Sequence, residues 1–257
     1  RIFDHLENRM KLELDHIAVA GETLQQATEH VAQTLDVAMQ SGGEHAVFHT
    51  HNTLLGLADG LYLEAIASNP DAPAPACARW FDLDRFSGKA RLTNWICRCD
   101  DLDAALEMLP QGFGRPVYIE RGDLRWRMAV PESGVLPYDN CAPALMEWLG
   151  DLRPMHRLTT CDSRLQMLEV RHPQASDIAA LLAPCLHDPR VPSRWDNLGY
   201  RRILRHLWGI EPCHENTWCT ARRCRSFGRD MECYDTGDFI HIHCRGEKPR
   251  WNRGNDQ

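Results

Sequence analysis

Leu14-Asp15-His16-Ile17-Ala18-Val19 decides the reading of this chain, because the pattern around it occurs twice. It is an apolar, strand-like run carrying one metal-competent side chain, His16. A second run, Leu61-Tyr62-Leu63-Glu64-Ala65-Ile66, embeds Glu64 48 residues later. Leu92-Thr93-Asn94-Trp95-Ile96 and Ala144-Leu145-Met146-Glu147-Trp148-Leu149 restate the pair as Asn94 and Glu147, 53 residues apart. The two pairs are offset by 78 to 83 residues, the mark of a duplicated unit whose polar positions converge on one cavity.

Outward from His16 the period is two, with Leu12, Leu14, His16 and Ala18 on one face and Glu13, Asp15, Ile17 and Val19 on the other. Gly21-Glu22-Thr23 breaks this strand, and Leu24, Ala27, Val31 and Leu35 follow at helical spacing. After a turn at Ser41-Gly42-Gly43, three short strands are predicted at 46–48, 53–57 and 61–67, with a reversal at Asp59-Gly60. The unit is βαβββ over 11–78, and its end, 69–78, is a Pro/Ala-rich linker. The same order returns over 79–152: a strand at 92–99, a helix at 100–109 capped by Asp100 or Asp101, and strands at 117–120, 124–130 and 144–149. Arg121-Gly122-Asp123 reads as a hairpin turn. A partial third unit, strand then helix, occupies 153–190 and places Met167 where His16 and Asn94 stood. Residues 1–10 read as extra sequence ahead of Met10, and 191–257 as an irregular tail without sustained period.

Composition narrows the class. At 257 residues the chain can bury a full core. No apolar run reaches the eighteen or so residues of a membrane helix, and no secretory signal is visible, which together point to the cytoplasm. Eleven cysteines without a CxxC pair fit reduced thiols. The net charge of −7 divides into −11 before Arg190 and +4 from Arg190 onward. An acidic body argues against nucleic acid as a partner, because phosphate neutralisation needs a basic surface.

The segments Leu14-Asp15-His16-Ile17, Gly43-Glu44-His45 to His49-Thr50-His51-Asn52, Tyr62-Leu63-Glu64-Ala65-Ile66, Arg79-Trp80-Phe81-Asp82-Leu83-Asp84, Gly122-Asp123-Leu124-Arg125-Trp126-Arg127 and Leu168-Glu169-Val170-Arg171-His172-Pro173 together resemble the glyoxalase-like domain proteins of the vicinal oxygen chelate superfamily. The resemblance implies an α+β fold: paired βαβββ modules forming an incomplete barrel around a cavity, often with a divalent metal. It leaves lyases, isomerases, dioxygenases and plain binders all open. The tail departs from it: Cys213, His214, Cys219, Cys224, Cys233, His241, His243 and Cys244 stand at intervals that do not form paired zinc knuckles.

Within that resemblance a metal would be held by His16, Glu64, Asn94 and Glu147, with Zn, Ni, Mn or Fe all suited to imidazole and carboxylate ligands. Glu147 would be displaced by substrate and act as general base. Asn94 is the departure, since family enzymes with secure metal sites place His or Gln there, and a two-His facial triad is not supplied. His49, His51 and Asn52 at a strand start, and Arg125 and Arg127 on one face of a strand, are the candidate substrate contacts. If the arginines face outward they are a solvated stripe. A metal-free cavity held by ion pairs stands beside the metal site as the alternative. Two functions follow: a metal-assisted lyase or isomerase acting on a substrate with adjacent oxygens, or a non-catalytic protein that binds or sequesters a small molecule, as monomer or homodimer.

Overall fold

The computed structural model describes residues 11–192 and 240–245. The first unit comprises β1 (Glu13–Ala20), α1 (Leu24–Leu35), β2 (Gln40–His45), β3 (Thr50–Gly56) and β4 (Tyr62–Ser68). The second repeats the order as β5 (Arg91–Arg98), α2 (Leu102–Met108), β6 (Arg115–Arg121), β7 (Leu124–Val130) and β8 (Ala144–Trp148). Between them Trp80–Asp82 forms a short 3-10 turn. Then come β9 (Arg164–Val170), α3 (Ala175–Leu182) and β10 (Ile240–Arg245). The N-terminal segment 1–10 and most of the tail, with Cys213, His214, Cys219, Cys224 and Cys233 considered for zinc, lie outside the described residues. Ile240–Arg245 is a strand where the sequence suggested no element, pairing antiparallel with β9.

The two units merge into one eight-stranded sheet of order β2-β3-β4-β1-β5-β8-β7-β6. β1 pairs parallel with β4, β5 parallel with β8, and the antiparallel pair β1–β5 joins the units at the centre. The sheet curls into a half-barrel, so that its two edge strands come within reach of each other: Gly43 of β2 lies against the side chain of Arg121 of β6. No helix among the described residues is long and apolar enough to cross a membrane.

Helix ends follow local chemistry. Thr23 Oγ1 accepts from the Gln26 amide at the start of α1, and Asp101 Oδ1 accepts from the Ala104 amide at the start of α2. Ala27, Val31 and Leu35 of α1 bury one stripe against the convex face of the sheet. That face also packs α3 through Ile178 and Leu182, so the partial third unit belongs to the same core. A second apolar cluster, including Ala18, Ile66, Ile96, Trp126 and Met146, fills the concave face.

Two expectations are corrected at glycines and a bulge. Leu12 and Leu14 share the convex core with Ile17 and Val19, not the concave side with His16 and Ala18. The register of β1 against β5 slips between Leu14 and His16, and such a bulge changes which side chains share a face. The second strand is Gln40–His45 rather than 46–48, so Gly42 and Gly43 sit inside a strand. They serve there because a Cβ on Gly42 would stand 2.0 Å from Asn52 Oδ1.

Candidate functional site

The bulge in β1 decides the site. It lets the neighbours Asp15 and His16 meet, with His16 Nδ1 2.7 Å from Asp15 Oδ1, both side chains being buried. Asp15 Oδ2 accepts a second bond from Trp148 Nε1 at 3.0 Å. Across the concave face His16 Nε2 stands 3.6 Å from Glu64 Oε2, an ion pair too long for a hydrogen bond. Tyr62, two residues before Glu64 on β4, stacks on the His16 ring with centroids 4.3 Å apart. Glu64 Oε1 accepts from Asn52 Nδ2 at 2.5 Å, and Asn52 Oδ1 accepts from the Gly43 amide at 2.9 Å and from Arg121 Nη1 at 3.1 Å. Arg121 Nη1 also lies 3.2 Å from His45 Nε2, whose Nδ1 is 3.0 Å from Thr50 Oγ1.

Charge in this cluster follows from its partners. Burial opposes a charged His16, but the Asp15 hydrogen bond and the nearby Glu64 charge outweigh it and raise the imidazolium to about 9. Burial likewise opposes an ionised Glu64, yet His16 and the Asn52 amide hold it at about 2. His45 goes the other way, down to about 4, through burial with Arg121 adding to the effect and Glu64 opposing it. His45 is therefore neutral near pH 7, its Nε2 accepting from Arg121 and its Nδ1–H donating to Thr50.

These groups surround a cavity of about 20 Å³, walled also by Trp80, Phe81, Trp126 and Trp148. Trp80 is 3% exposed and its Nε1 has no hydrogen-bond partner. Phe81 stands at φ 59°, a conformation a bulky side chain rarely takes, held by the Asp82 amide bonded to the Gly134 carbonyl.

Of the residues singled out from sequence, the structure brings His16, Glu64 and Asn52 together. Asn94 is buried on the concave side opposite Ala18, but its Oδ1 accepts from Asn140 at 3.3 Å and it does not line the cavity. Glu147 faces away: its carboxylate pairs with Arg127 and accepts from the Leu102 amide at the start of α2. The strand register puts Met146 on the cavity wall instead. Arg127 also binds Asp103 of α2 at 2.6 Å, and Arg125 is exposed beside Glu120 at 3.9 Å, so both arginines point outward. His49, at φ 50°, contacts the Pro73 carbonyl, and His51 lies on the opposite face of β3 from Asn52. Asp15, His45, Trp80 and Arg121 complete the site without having been singled out. The adjacency Asp15-His16 is the one available signal; Arg121 reads only as part of a turn.

The donor set does not fit a metal shared between the two units. The first unit offers His16 and Glu64, whereas the second presents Met146 and an amide already bonded to Asn140. No group of three or more His, Cys, Asp or Glu among the described residues is arranged to hold an ion. Gly42→Ala is expected to push Asn52 off Glu64 and destabilise the fold by about 1–3 kcal/mol, visible in chemical denaturation.

A half-barrel of two βαβββ units with a polar cluster on its concave face is the architecture of a glyoxalase-like domain. The chain matches the glyoxalase-like domain over residues 14–186 and belongs to that family. No curated protein matches it significantly. In fold it is similar to a hypothetical protein from Staphylococcus aureus, at 16% identity over 68% of this chain and 75% of that one, with a TM-score of 0.51. A methylmalonyl-CoA epimerase from Mycobacterium tuberculosis matches at 21% identity over 52% of this chain and 85% of its own, with a TM-score of 0.34. A hypothetical protein from Bacillus halodurans C-125 matches at 13% identity over 55% and 96%, with a TM-score of 0.38.

Proposed function

We propose that this protein binds a small molecule in the cavity on the concave face of its half-barrel, without a metal bridging the two units. The observation that carries the reading is the one-sided origin of the cavity's polar groups. His16, His45, Asn52 and Glu64 come from the first unit and Arg121 reaches over from the sheet's far edge, while Asn94 and Glu147 stay out. Aromatic walls with a few convergent polar groups are the lining of a small-molecule site, and the free space of about 20 Å³ limits what enters to a compact group. The ionised state of both His16 and Glu64 fits a binder, since a general base works best near the operating pH.

A second reading, metal-assisted lyase or isomerase chemistry on a substrate with adjacent oxygens, is favoured by one contact. Asp15 backs His16 Nδ1 as carboxylates back metal-ligating imidazoles elsewhere. Elemental analysis of protein purified with Zn, Ni, Mn or Fe(II) supplied, beside His16→Ala, separates the two. The binding reading expects no stoichiometric metal in either. One equivalent in the parent that disappears in the variant overturns it in favour of the enzyme.

A further inference from the structure

Trp80 and Phe81 do not belong to the sheet that carries the site. They lie on the connection between the two units, in the 3-10 turn Trp80–Asp82, yet they wall the cavity and leave it only about 20 Å³ of free space. Behind them His16, His45, Asn52 and Glu64 are all buried. Burying so many polar groups is costly, and a site that takes a ligand needs a way in. The segment around Trp80 is attached in a manner that supplies one. Its polar bonds are mostly internal: the Asp84 carboxylate accepts from the Arg79 amide at 2.8 Å and from Arg79 Nη1 at 2.6 Å, and the Asp82 carboxylate accepts both prongs of Arg85 at 2.6 and 2.8 Å. Among the described residues its hydrogen bonding to the rest of the protein is one contact, the Asp82 amide on the Gly134 carbonyl at 3.0 Å. Ring packing does the remainder, with Trp80 stacked on Phe48 at 4.4 Å and meeting His45 edge-on at 4.9 Å. That packing is opposed. Trp80 Nε1 and Arg79 Nε are buried without a partner, and Phe81 and Asp82 both stand in the left-handed region, at φ 59° and 57°.

We propose that residues 79–85 are a gate, which leaves the concave face as a unit and admits ligand to the His16–Glu64 cluster. The internal ion pairs travel with the segment, so opening breaks one hydrogen bond to the rest of the described protein, gives the two orphaned N–H groups access to water and releases the strained backbone. With the gate closed the hollow has room for little more than one water-sized group, and opening it makes room for a larger one. This rests on the reading of the concave cavity as the ligand site. The test reads motion without any ligand, so the two can fail separately.

Met146, buried on the cavity wall, is replaced in the full-length chain (Met146→Cys), and native-state labelling by N-ethylmaleimide is followed at each thiol by peptide mass spectrometry. Two native thiols bracket the result. Cys77 is exposed, whereas Cys97 is fully buried in the convex core and reacts only when the fold opens as a whole. The expected rate at position 146 lies between them, at least about tenfold above that of Cys97, and adding Trp80→Ala raises the ratio by a further tenfold or so. Equal rates at position 146 and Cys97, or a Trp80→Ala effect that speeds both alike, make the segment ordinary core and overturn the gate. A fast thiol at position 146 that Trp80→Ala leaves unchanged places the entrance elsewhere and overturns it too. None of these outcomes bears on whether the cavity binds a compact group. Should Met146→Cys not fold, hydrogen exchange of the parent decides: the Trp80 indole N–H is expected to exchange at least about tenfold faster than that of Trp95, which is fully buried and donates to the Cys141 carbonyl at 2.9 Å. Exchange of both indoles at one rate overturns the gate.

Discussion

His16→Ala lowers the unfolding free energy at neutral pH by about 3–5 kcal/mol, because it strands Asp15 and Glu64 as buried carboxylates without their shared cation. The loss has a defined pH dependence. His16 titrates at about 9 in the folded protein, above the value near 6.5 of an unfolded histidine, so its contribution is complete below about 6.5 and disappears as pH rises through 9. Glu64 is held at about 2, below the 4.5 of an ordinary glutamate, so its contribution is present above 4.5 and lost as pH falls through 2. Both shifts describe largely one interaction, whose linked worth is of order 3 kcal/mol and is counted once. Parent and variant should therefore differ most between about pH 5 and 7 and converge above about pH 9. Urea unfolding at about pH 5.5, 7 and 10 checks this. An equal deficit at all three values removes the ion pair from the account, and Glu64→Gln added to His16→Ala should recover part of the loss.

Arg121→Ala is expected to cost about 2–3 kcal/mol and to open one side of the half-barrel. One guanidinium nitrogen donates to Asn52 Oδ1 and to His45 Nε2, which is neutral. Hydrogen bonds to a charged donor are worth more than neutral ones, and His45 and Asn52 would lose their charged partner inside the barrel. The aliphatic stem also covers Gly43, so β2 and β6 lose their bridge. Hydrogen exchange locates the effect. Amides of Gln40–His45 should exchange faster, while those of β1 and β5 at the sheet centre keep their protection. Uniform acceleration across the sheet would mean that Arg121 only adds global stability and does not clasp the edges.

The architecture was legible because it rests on repetition and period. Two strand-helix-strand runs, each carrying one polar residue on an apolar face, are visible from Leu14 to Ile66 and again from Leu92 to Leu149. The half-barrel they form is observed. Faces were less legible, since alternation predicts them only while the register holds. At Asp15 the register slips, and two adjacent residues assigned to opposite faces join one cluster. At Gly42 and Gly43 turn chemistry suggested a reversal, but the missing side chains make room for Asn52 within a strand. Glu147 shows the same limit: one position along β8, Met146 has the cavity and the acid goes to Arg127 and α2.

The sequence by itself determined the duplicated βαβββ order, the family, and that His16 and Glu64 are polar residues placed on apolar strands, because each is a local matter of spacing and side-chain type. Tertiary structure alone decided which groups meet. Arg121 is 76 residues from His45 and 69 from Asn52, and it reaches them only because the curled sheet brings its first and last strands together. A contact of that kind depends on curvature accumulated over eight strands, each adding a small twist, and no stretch of the chain holds that sum.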